Sequence, residues 1–432
     1  MKKNDDAVEM VDSKSLRIGM YVELDVGWLA HPFPTGSFKI STPKQIETIR
    51  GLGLQRVRVN MPKSDPDPAE LAAAVAAKSV DAALADERAQ AAQREALQRQ
   101  QRAQLLAAQQ RSLQQCERRF GDAVRQYKKM LETIPTQPKA AAEHCHTLVS
   151  SFLGDMLGEG ESAIRLLSEA AGDKSSMHPV NVTVVSLLLG KAMGLSPDDL
   201  MDLGMAAFLH DVGKAQLPDR VRWLEENFST AEYKLYQEHV TQSVQTAKKM
   251  ELSKGALLAI AQHHELADGS GFPTRAKGDA MTVGARILAL VNRYDNLCNP
   301  TRPATAMTPH ESLSLIFAQL KTRFDTVALS AFIRMMGVYP PGSVVQLVDE
   351  RYGMVVSVNS SRPLKPRVLV HESGVAKHEA LILDLEQAPN IGIRRSLKPA
   401  GLPSAAMDFL APRQRVSYFF ERVVDSQMGA FA

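Results

Sequence analysis

The sequence predicts a mainly α protein. A small α+β domain and a long helix come first, a bundle of helices follows, and a small β-rich domain closes the chain. Three observations carry this reading. From Lys139 to Met336 amphipathic helical patterns succeed one another with no convincing strand. From Pro68 to Ile134 the chain is Ala, Gln, Arg, Glu and Leu almost without Gly or Pro, a composition that favours helix over a span far beyond the usual globular length. Before and after these segments, short stretches alternate apolar and polar residues as strands do.

Residues 1–64 contain "MYVELDV" and "QRVRVN" between turn residues and one helix around "TPKQIETIRGLG". "WLAHPF" reads as an aromatic and proline turn that packs this domain, with a ligand pocket as the alternative. "KSDPDP" breaks the pattern, and residues 65–138 form the long segment. No clean heptad is sustained there, so the expectation is a long helix or helical hairpin, with a homodimer formed through it. A solvated, partly disordered spacer is the competing reading, because alanine-rich helices gain little by burial. Residues 139–337 make the helical domain. After Tyr339-Pro340-Pro341-Gly342, "SVVQLVDERYGMVVSVN" and "RVLVHESG" alternate like hairpin strands and define residues 338–432 as the β-rich domain.

Composition excludes several classes of function. With 44% hydrophobic and 23% charged residues the chain reads as an ordinary globular protein. A net charge of +3 over 432 residues gives no footprint for a nucleic-acid polymer or a membrane. "MKKNDDAVEM" lacks the apolar stretch of a secretory signal, and no apolar run approaches the roughly 18 residues that span a bilayer. Cys116, Cys145 and Cys298 are too few and scattered for a disulfide framework. The expected compartment is a reducing cytoplasm.

Five of the 11 histidines lie between residues 178 and 264. His178 precedes Pro179, which suits the first helical position, so His178 is expected at a helix start. "SPDDLMDLGMAAFLHDVGK" starts with Ser196 as cap and ends at His210-Asp211, with Gly213 as the C-terminal stop. His239 lies on the next helix, which opens with the capping box Ser229 and Glu232. His263 and His264 end a fourth helix starting near Lys254. Neighbours on a helix point about 100° apart, so these two are expected to hold different ions rather than chelate one. Singly, His178 or His239 reads as a core or surface histidine; the ordered set on consecutive helices points to a metal cluster. Imidazole with carboxylate suits iron, manganese or zinc, and two such ions about 3.5–4 Å apart suit phosphodiester hydrolysis. His31, His144, His146, His310, His371 and His378 lack this context and read as structural or surface residues.

At these residues the sequence resembles the HD-GYP family, a branch of the HD-domain metal-dependent phosphohydrolases. "MHPVNV", "LHDVGKAQLPD", "EHV", "HHELADGSGFP" and "ARILALVNRYDNL" stand in the family order over roughly residues 140–335. "SLRIGMYVELDVGWLAHPF" resembles an uncharacterised domain that often precedes HD-GYP. The resemblance implies an HD-type helical bundle and hydrolysis of the bacterial second messenger cyclic di-GMP to the linear dinucleotide or GMP. It also implies two divalent metal ions, iron or manganese, and signalling proteins as partners. By position, it makes His178, His210, Asp211, His239, His263, His264 and Asn292 metal ligands, and Asp211 and Lys214 catalytic. Lys214, Gly269, Gly271, Phe272, Arg275, Lys277 and Arg302 become substrate-binding residues, with Asp268 and Pro273 in the same signature loop.

Three departures from the family pattern bear on activity. Phe272 replaces the signature tyrosine, keeping the ring and losing the hydroxyl. Asn292 stands where the family has a metal-binding aspartate; its neutral amide is a weaker ligand, with Asp295 three residues on as a possible compensation. Some members supply an extra glutamate shortly before the first histidine; here that neighbourhood reads "GDKSSMH", with Lys174 four residues upstream, so no third metal is expected. Two other readings stay open: a degenerate site kept for cyclic di-GMP binding or protein interaction, and a phosphohydrolase of another nucleotide.

Overall fold

Threonine, serine and aspartate caps, rather than long apolar runs, define where the helices of this chain begin. The computed structural model describes residues 8–27, 29–158, 162–168, 174–223, 228–359 and 362–422, with Val80, Lys174 and Arg422 described by backbone alone. In the first unit, strands β1 (Val8–Asp12), β2 (Tyr21–Glu23) and β3 (Ser37–Lys39) are followed by helix α1 (Pro43–Gly51) and strand β4 (Arg56–Asn60). The sheet order is β1-β4-β2-β3, antiparallel throughout. Alternation places Val22, Val57 and Val59 on the face that packs against Ile49 of α1. His31 is buried here with its Nδ1 accepting from the Phe33 amide at 3.3 Å. Trp28 of "WLAHPF" lies outside the described residues.

The long segment is a single helix, α2 (Pro68–Thr133), not a hairpin. The chain divides within it into two compact units, Met1–Gln100 and Gln101–Ala432. After Pro68 at its start, its interior contains no proline and a single glycine, Gly121, and the next proline is Pro135, just past the helix end.

The second unit continues with α3 (Pro138–Leu157), β5 (Ser162–Leu166), α4 (Lys174–Ala192), α5 (Pro197–Leu209), α6 (Thr230–Lys249) and α7 (Lys254–Gln262). Then come α8 (Val283–Cys298), α9 (Pro309–Gln319), α10 (Thr326–Met336), β6 (Val344–Leu347), β7 (Tyr352–Asn359) and β8 (Arg367–Val370). Strands β9 (Ile382–Asp384) and β10 (Ile393–Leu397), helix α11 (Ser404–Leu410) and β11 (Tyr418–Arg422) complete it. The caps read from sequence are present: Ser196 accepts from the Asp199 amide, and Ser229 with Glu232 forms a complete capping box. Helices α4, α5, α7 and α8 pack against one another around the histidines.

Two expectations are corrected. The span from Lys139 to Met336 does contain a strand, β5, and it sits in the C-terminal sheet, whose path is β10-β6-β7-β5-β11, with β8 on β7 and β9 on β8. The sheet and the helices share one core running from Cys116 to Phe420, so the chain does not change core at residue 338. All five residues of β5 are buried, and a strand covered on both faces carries no alternation to distinguish it from buried helix. Secondly, Pro179 does not start α4. The helix begins at Lys174, so His178 and Pro179 occupy its second turn. There the proline removes one bond, to the carbonyl of Ser175, near an end where backbone pairing is already incomplete.

Candidate metal centre

The histidines reach one point because helix ends and one close helix contact put them there. His210 closes α5, and the chain turns at Asp211 into a short 3-10 helix, Val212–Gln216, that carries Lys214. Gly213 was expected as a left-handed stop, but its role is close approach. A Cβ there would lie 2.3 Å from the His239 carbonyl and 2.4 Å from the Ser243 amide of α6. The bare glycine lets α6 come near enough for its own amide to donate to Ser243 Oγ at 2.9 Å. That proximity brings His239, in mid-α6, to Asp211.

Each ring is fixed from behind. His178 Nδ1 meets Asp295 Oδ2 at 2.5 Å, and His210 Nδ1 meets the Ala207 carbonyl at 2.8 Å. His239 Nδ1 meets the Tyr236 carbonyl at 2.5 Å, and His263 Nδ1 meets the Ile260 carbonyl at 2.7 Å. These oxygen partners only accept, so each neutral ring carries its proton on Nδ1 and presents a lone pair at Nε2. Yet His178 Nε2 stands 3.3 Å from His210 Nε2, and His239 Nε2 stands 3.3 Å from His263 Nε2. Two lone pairs facing each other at that distance repel unless a cation lies between them. Burial also disfavours protonation of these rings: it lowers the pKa of His178 and His263, takes His239 down to about 3, and holds His264 well below the usual histidine value.

Asp211 joins the two pairs. Its Oδ2 lies 3.6 Å from His178 Nε2 and 3.4 Å from His210 Nε2, and its Oδ1 lies 3.5 Å from His239 Nε2 and 3.8 Å from His263 Nε2. Among the described residues two ligand groups result: His178, His210 and Asp211, and Asp211, His239, His263 and His264. Oδ1 of Asp211 and Nε2 of His264 are buried with no hydrogen-bond partner. Ligands about 2.0–2.2 Å from a common cation stand roughly 3.0–3.5 Å apart, so this donor set fits one cation in each group, with Asp211 shared. His263 and His264 thus fall in one group, against the expectation that they serve different ions. The 100° argument fails because α7 ends at Gln262, and both residues lie in the turn beyond it.

Burial works to raise the Asp211 pKa, but His210 and Lys214 outweigh it and hold the carboxylate well below its ordinary range. Lys214 Nζ is 2.6 Å from Asp211 Oδ2. Burial alone would lower its pKa; the Asp211 charge outweighs that and raises it. Asn292 is buried, but its Oδ1 accepts from Asn296 Nδ2 at 2.7 Å, which gives the amide a partner other than a cation. Asp295 does not substitute for it. Its carboxylate sits behind His178, where it orients a ligand instead of being one. In the stretch on which the expectation of no third metal rests, Gly172 and Asp173 lie outside the described residues and Lys174 is described by backbone alone.

The signature loop is seated by Glu265, which the sequence reading passed over. Buried at the end of the histidine pair, it accepts from the Thr274 amide at 2.6 Å, the Thr274 hydroxyl at 2.7 Å and the Ala276 amide at 2.9 Å. Gly271 is pressed so close that a Cβ would fall 2.4 Å from the Leu266 amide and 2.5 Å from the His264 carbonyl. Phe272 stacks on His264, ring centroids 4.5 Å apart at 17°. The ring packs face to face on a candidate ligand histidine, and phenylalanine keeps the aromatic face that a tyrosine would offer.

A cavity of about 700 Å³ opens over the second histidine group. Lys214, Gly271, Phe272, Asn292 and Arg302 line it, and Gly269, Arg275 and Lys277 do not. Gly269 and Arg275 take φ of +78° and +61°, and Glu265 draws the backbone on both sides of Arg275 inward. The loop therefore turns its second half away from the cavity. Two cations missed in the sequence replace these residues: Arg293 on α8 and Arg323 just after α9. Partial desolvation and the neighbouring Arg323 hold Arg293 below the ordinary arginine value. Lys214, Arg293, Arg302 and Arg323 are joined by no acidic residue among the described cavity-lining residues.

This geometry stands beside clear similarities to known proteins. The HD-domain family model matches residues 165–327, the stretch that contains every one of these histidines. Over this stretch the chain is similar to the HD domain. A domain of unknown function, DUF3391, matches residues 10–145 ahead of the HD domain. The cyclic di-GMP phosphodiesterase PA4108 of Pseudomonas aeruginosa is 27% identical over 372 residues, 84% of each chain. The cyclic di-GMP phosphodiesterase response regulator RpfG of Xanthomonas campestris is 31% identical over 153 residues, 35% of this chain and 40% of that one. Among solved structures, the HDG"Y"P protein Bd1817 of Bdellovibrio bacteriovorus aligns with a TM-score of 0.41 at 13% identity, covering 75% of this chain and 98% of that chain. No helix among the described residues is long and apolar enough to cross a membrane.

The buried histidines make the HD domain acid-sensitive. A base whose folded pKa is depressed takes up more protons when unfolded, so stability is intact above about pH 6.5 and falls as the pH drops toward the folded value. For His239 the window runs from 6.5 to about 3, at about 1.4 kcal/mol per pH unit. Metal-free protein is expected to lose thermal stability steadily below pH 6.5, read by calorimetry in chelator; a flat melting temperature from pH 7 to 5 would contradict the assignment of neutral imidazoles.

Proposed function

We propose that this protein is a cytoplasmic, metal-dependent phosphodiesterase that hydrolyses cyclic di-GMP, using two divalent cations, iron or manganese. The observation that carries the proposal is the two pairs of facing Nε2 lone pairs bridged by Asp211, with His263 and His264 lining a cavity that four cationic residues also line. Bound cations would supply a water nucleophile activated at neutral pH and neutralise charge on the phosphate. The chain's own residues do the rest. Four Nδ1 contacts and the Phe272 stack hold the ligand rings. Lys214, fixed by Asp211, faces the cavity as a charge for a phosphate oxygen, and Arg293, Arg302 and Arg323 suit a dianionic substrate. The cytoplasmic placement is supported by three unpaired, buried cysteines. Leu71, Val75, Leu84 and Leu97 are exposed along the first half of α2, which supports self-association through this helix and can be weighed by light scattering against a chain shortened to residue 101.

Asn292 motivates a second reading, a binding or interaction module with a weakened site. The Asn292→Asp variant tests both. Added charge is expected to tighten metal retention by about 10-fold and to change turnover by less than that, because the six remaining ligands are in place. Natural protein that leaves cyclic di-GMP intact, with turnover appearing only in Asn292→Asp, would establish the second reading. Parallel assays with other cyclic dinucleotides decide the substrate.

A further inference from the structure

Three of the ligand histidines are oriented by their own helices. His210, His239 and His263 each give Nδ1 to the carbonyl three residues earlier, those of Ala207, Tyr236 and Ile260. His178 is the exception: its Nδ1 partner, Asp295, comes from α8, 117 residues away. What holds Asp295 is a pair of buried amides. Its other oxygen, Oδ1, accepts from Asn181 Nδ2 at 3.1 Å and from Asn299 Nδ2 at 2.9 Å.

Those amides are in turn held by the backbone that leads into β11. Val416 N–H donates to Asn299 Oδ1 at 2.9 Å, and Tyr418 N–H donates to Asn181 Oδ1 at 2.9 Å. The Val416 carbonyl accepts from Asn181 Nδ2 and from Asn299 Nδ2, each at 2.9 Å. Every hydrogen-bonding group of both side-chain amides is thereby used. Each amide's oxygen is claimed by a strand N–H, so neither can turn over without setting its oxygen against the Asp295 carboxylate. All four residues, His178, Asn181, Asp295 and Asn299, are at least 94% buried, so bulk water has little access to these contacts.

We infer that the segment Val416–Tyr418 is a positioning element of the metal centre. Through Asn181 and Asn299 it fixes Asp295, and Asp295 fixes the proton and ring of His178, a ligand of the cation group shared with His210 and Asp211. The inference deepens the proposed function and rests on its metal reading. It places part of the ligand-orienting machinery about 90 residues beyond the HD-domain match, which ends at residue 327. A role confined to satisfying a strand end would leave cation affinity untouched or lower it at both groups alike. The second group, Asp211 with His239, His263 and His264, draws no contact from this segment in the set described above.

The test is a manganese titration of the full chain, with bound metal counted and unfolding temperature read on the same samples. Asn181→Ala and Asn299→Ala each leave the other amide clamp in place, which favours recovery of folded protein. Each is expected to retain one cation at natural affinity and to bind the other about 10–100-fold more weakly. Tyr418→Phe is the control. It removes the hydroxyl contacts to Tyr294 and to the Pro341 carbonyl, both 3.2 Å, but keeps the strand backbone, so it should lower the unfolding temperature and still bind both cations. Asparagine variants that bind two cations at natural affinity, or that weaken both equally, overturn the inference. Natural protein that fails to bind two cations overturns the proposed function instead.

Discussion

Asp211→Asn is expected to remove both cations together and to lower turnover of cyclic di-GMP by about 10³-fold or more. Asp211 is the one side chain common to both ligand groups. An amide there offers a single neutral oxygen in place of two charged ones, so each group loses an anionic ligand. The substitution also leaves Lys214 buried beside an uncharged partner, and breaking a buried pair in this way costs about 3–5 kcal/mol. Bound metal counted by mass spectrometry, hydrolysis followed by chromatography and calorimetric unfolding separate the effects. A variant that keeps one tightly bound cation would contradict the bridging role.

Replacing Arg293 and Arg323 together with alanine is expected to raise KM for the cyclic dinucleotide by about 10²–10³-fold, with kcat changed far less. Each guanidinium lines the cavity, and a hydrogen bond to a charged group contributes about 1.5–3 kcal/mol. Neither touches the histidines in the contacts described, so the loss falls on binding instead of on the chemical step. Raising the salt concentration should weaken the natural protein more than the double variant, because two screened charges are gone. A fall in kcat with KM unchanged would assign these arginines to the reaction itself.

The contrast between Arg275 and Arg293 explains much of what the sequence could and could not tell. Arg275 stands three residues after the signature Phe272 and looked like a phosphate contact by proximity along the chain. Glu265 decides otherwise by tying down the Thr274 and Ala276 amides. Arg293 and Arg323 reach the cavity only because α8 and the turn after α9 converge there, information carried by packing and not by any local pattern. The helices themselves were legible, since their caps are local: Ser196, Ser229 and Glu232 do in the structure what their order along the chain implied. The candidate ligand histidines could be placed on their elements for the same reason, four of the five lying at or near helix ends. Strand β5 was not, because its five buried residues show no alternation and its partners, β7 and β11, are some 190 to 260 residues away. Asp295 was misjudged as a spare ligand because its place behind His178 depends on how α4 meets α8.

One titration tests the central claim, that the facing imidazoles hold two cations on which hydrolysis depends. Chelated, metal-free protein is supplied anaerobically with iron or manganese in steps, and bound metal and cyclic di-GMP turnover are read at each step. The expected result is binding that saturates at two cations per chain, with turnover absent in chelator and maximal only as the second is taken up. Saturation at two cations with cyclic di-GMP left intact, or undiminished turnover in chelator, would contradict the account.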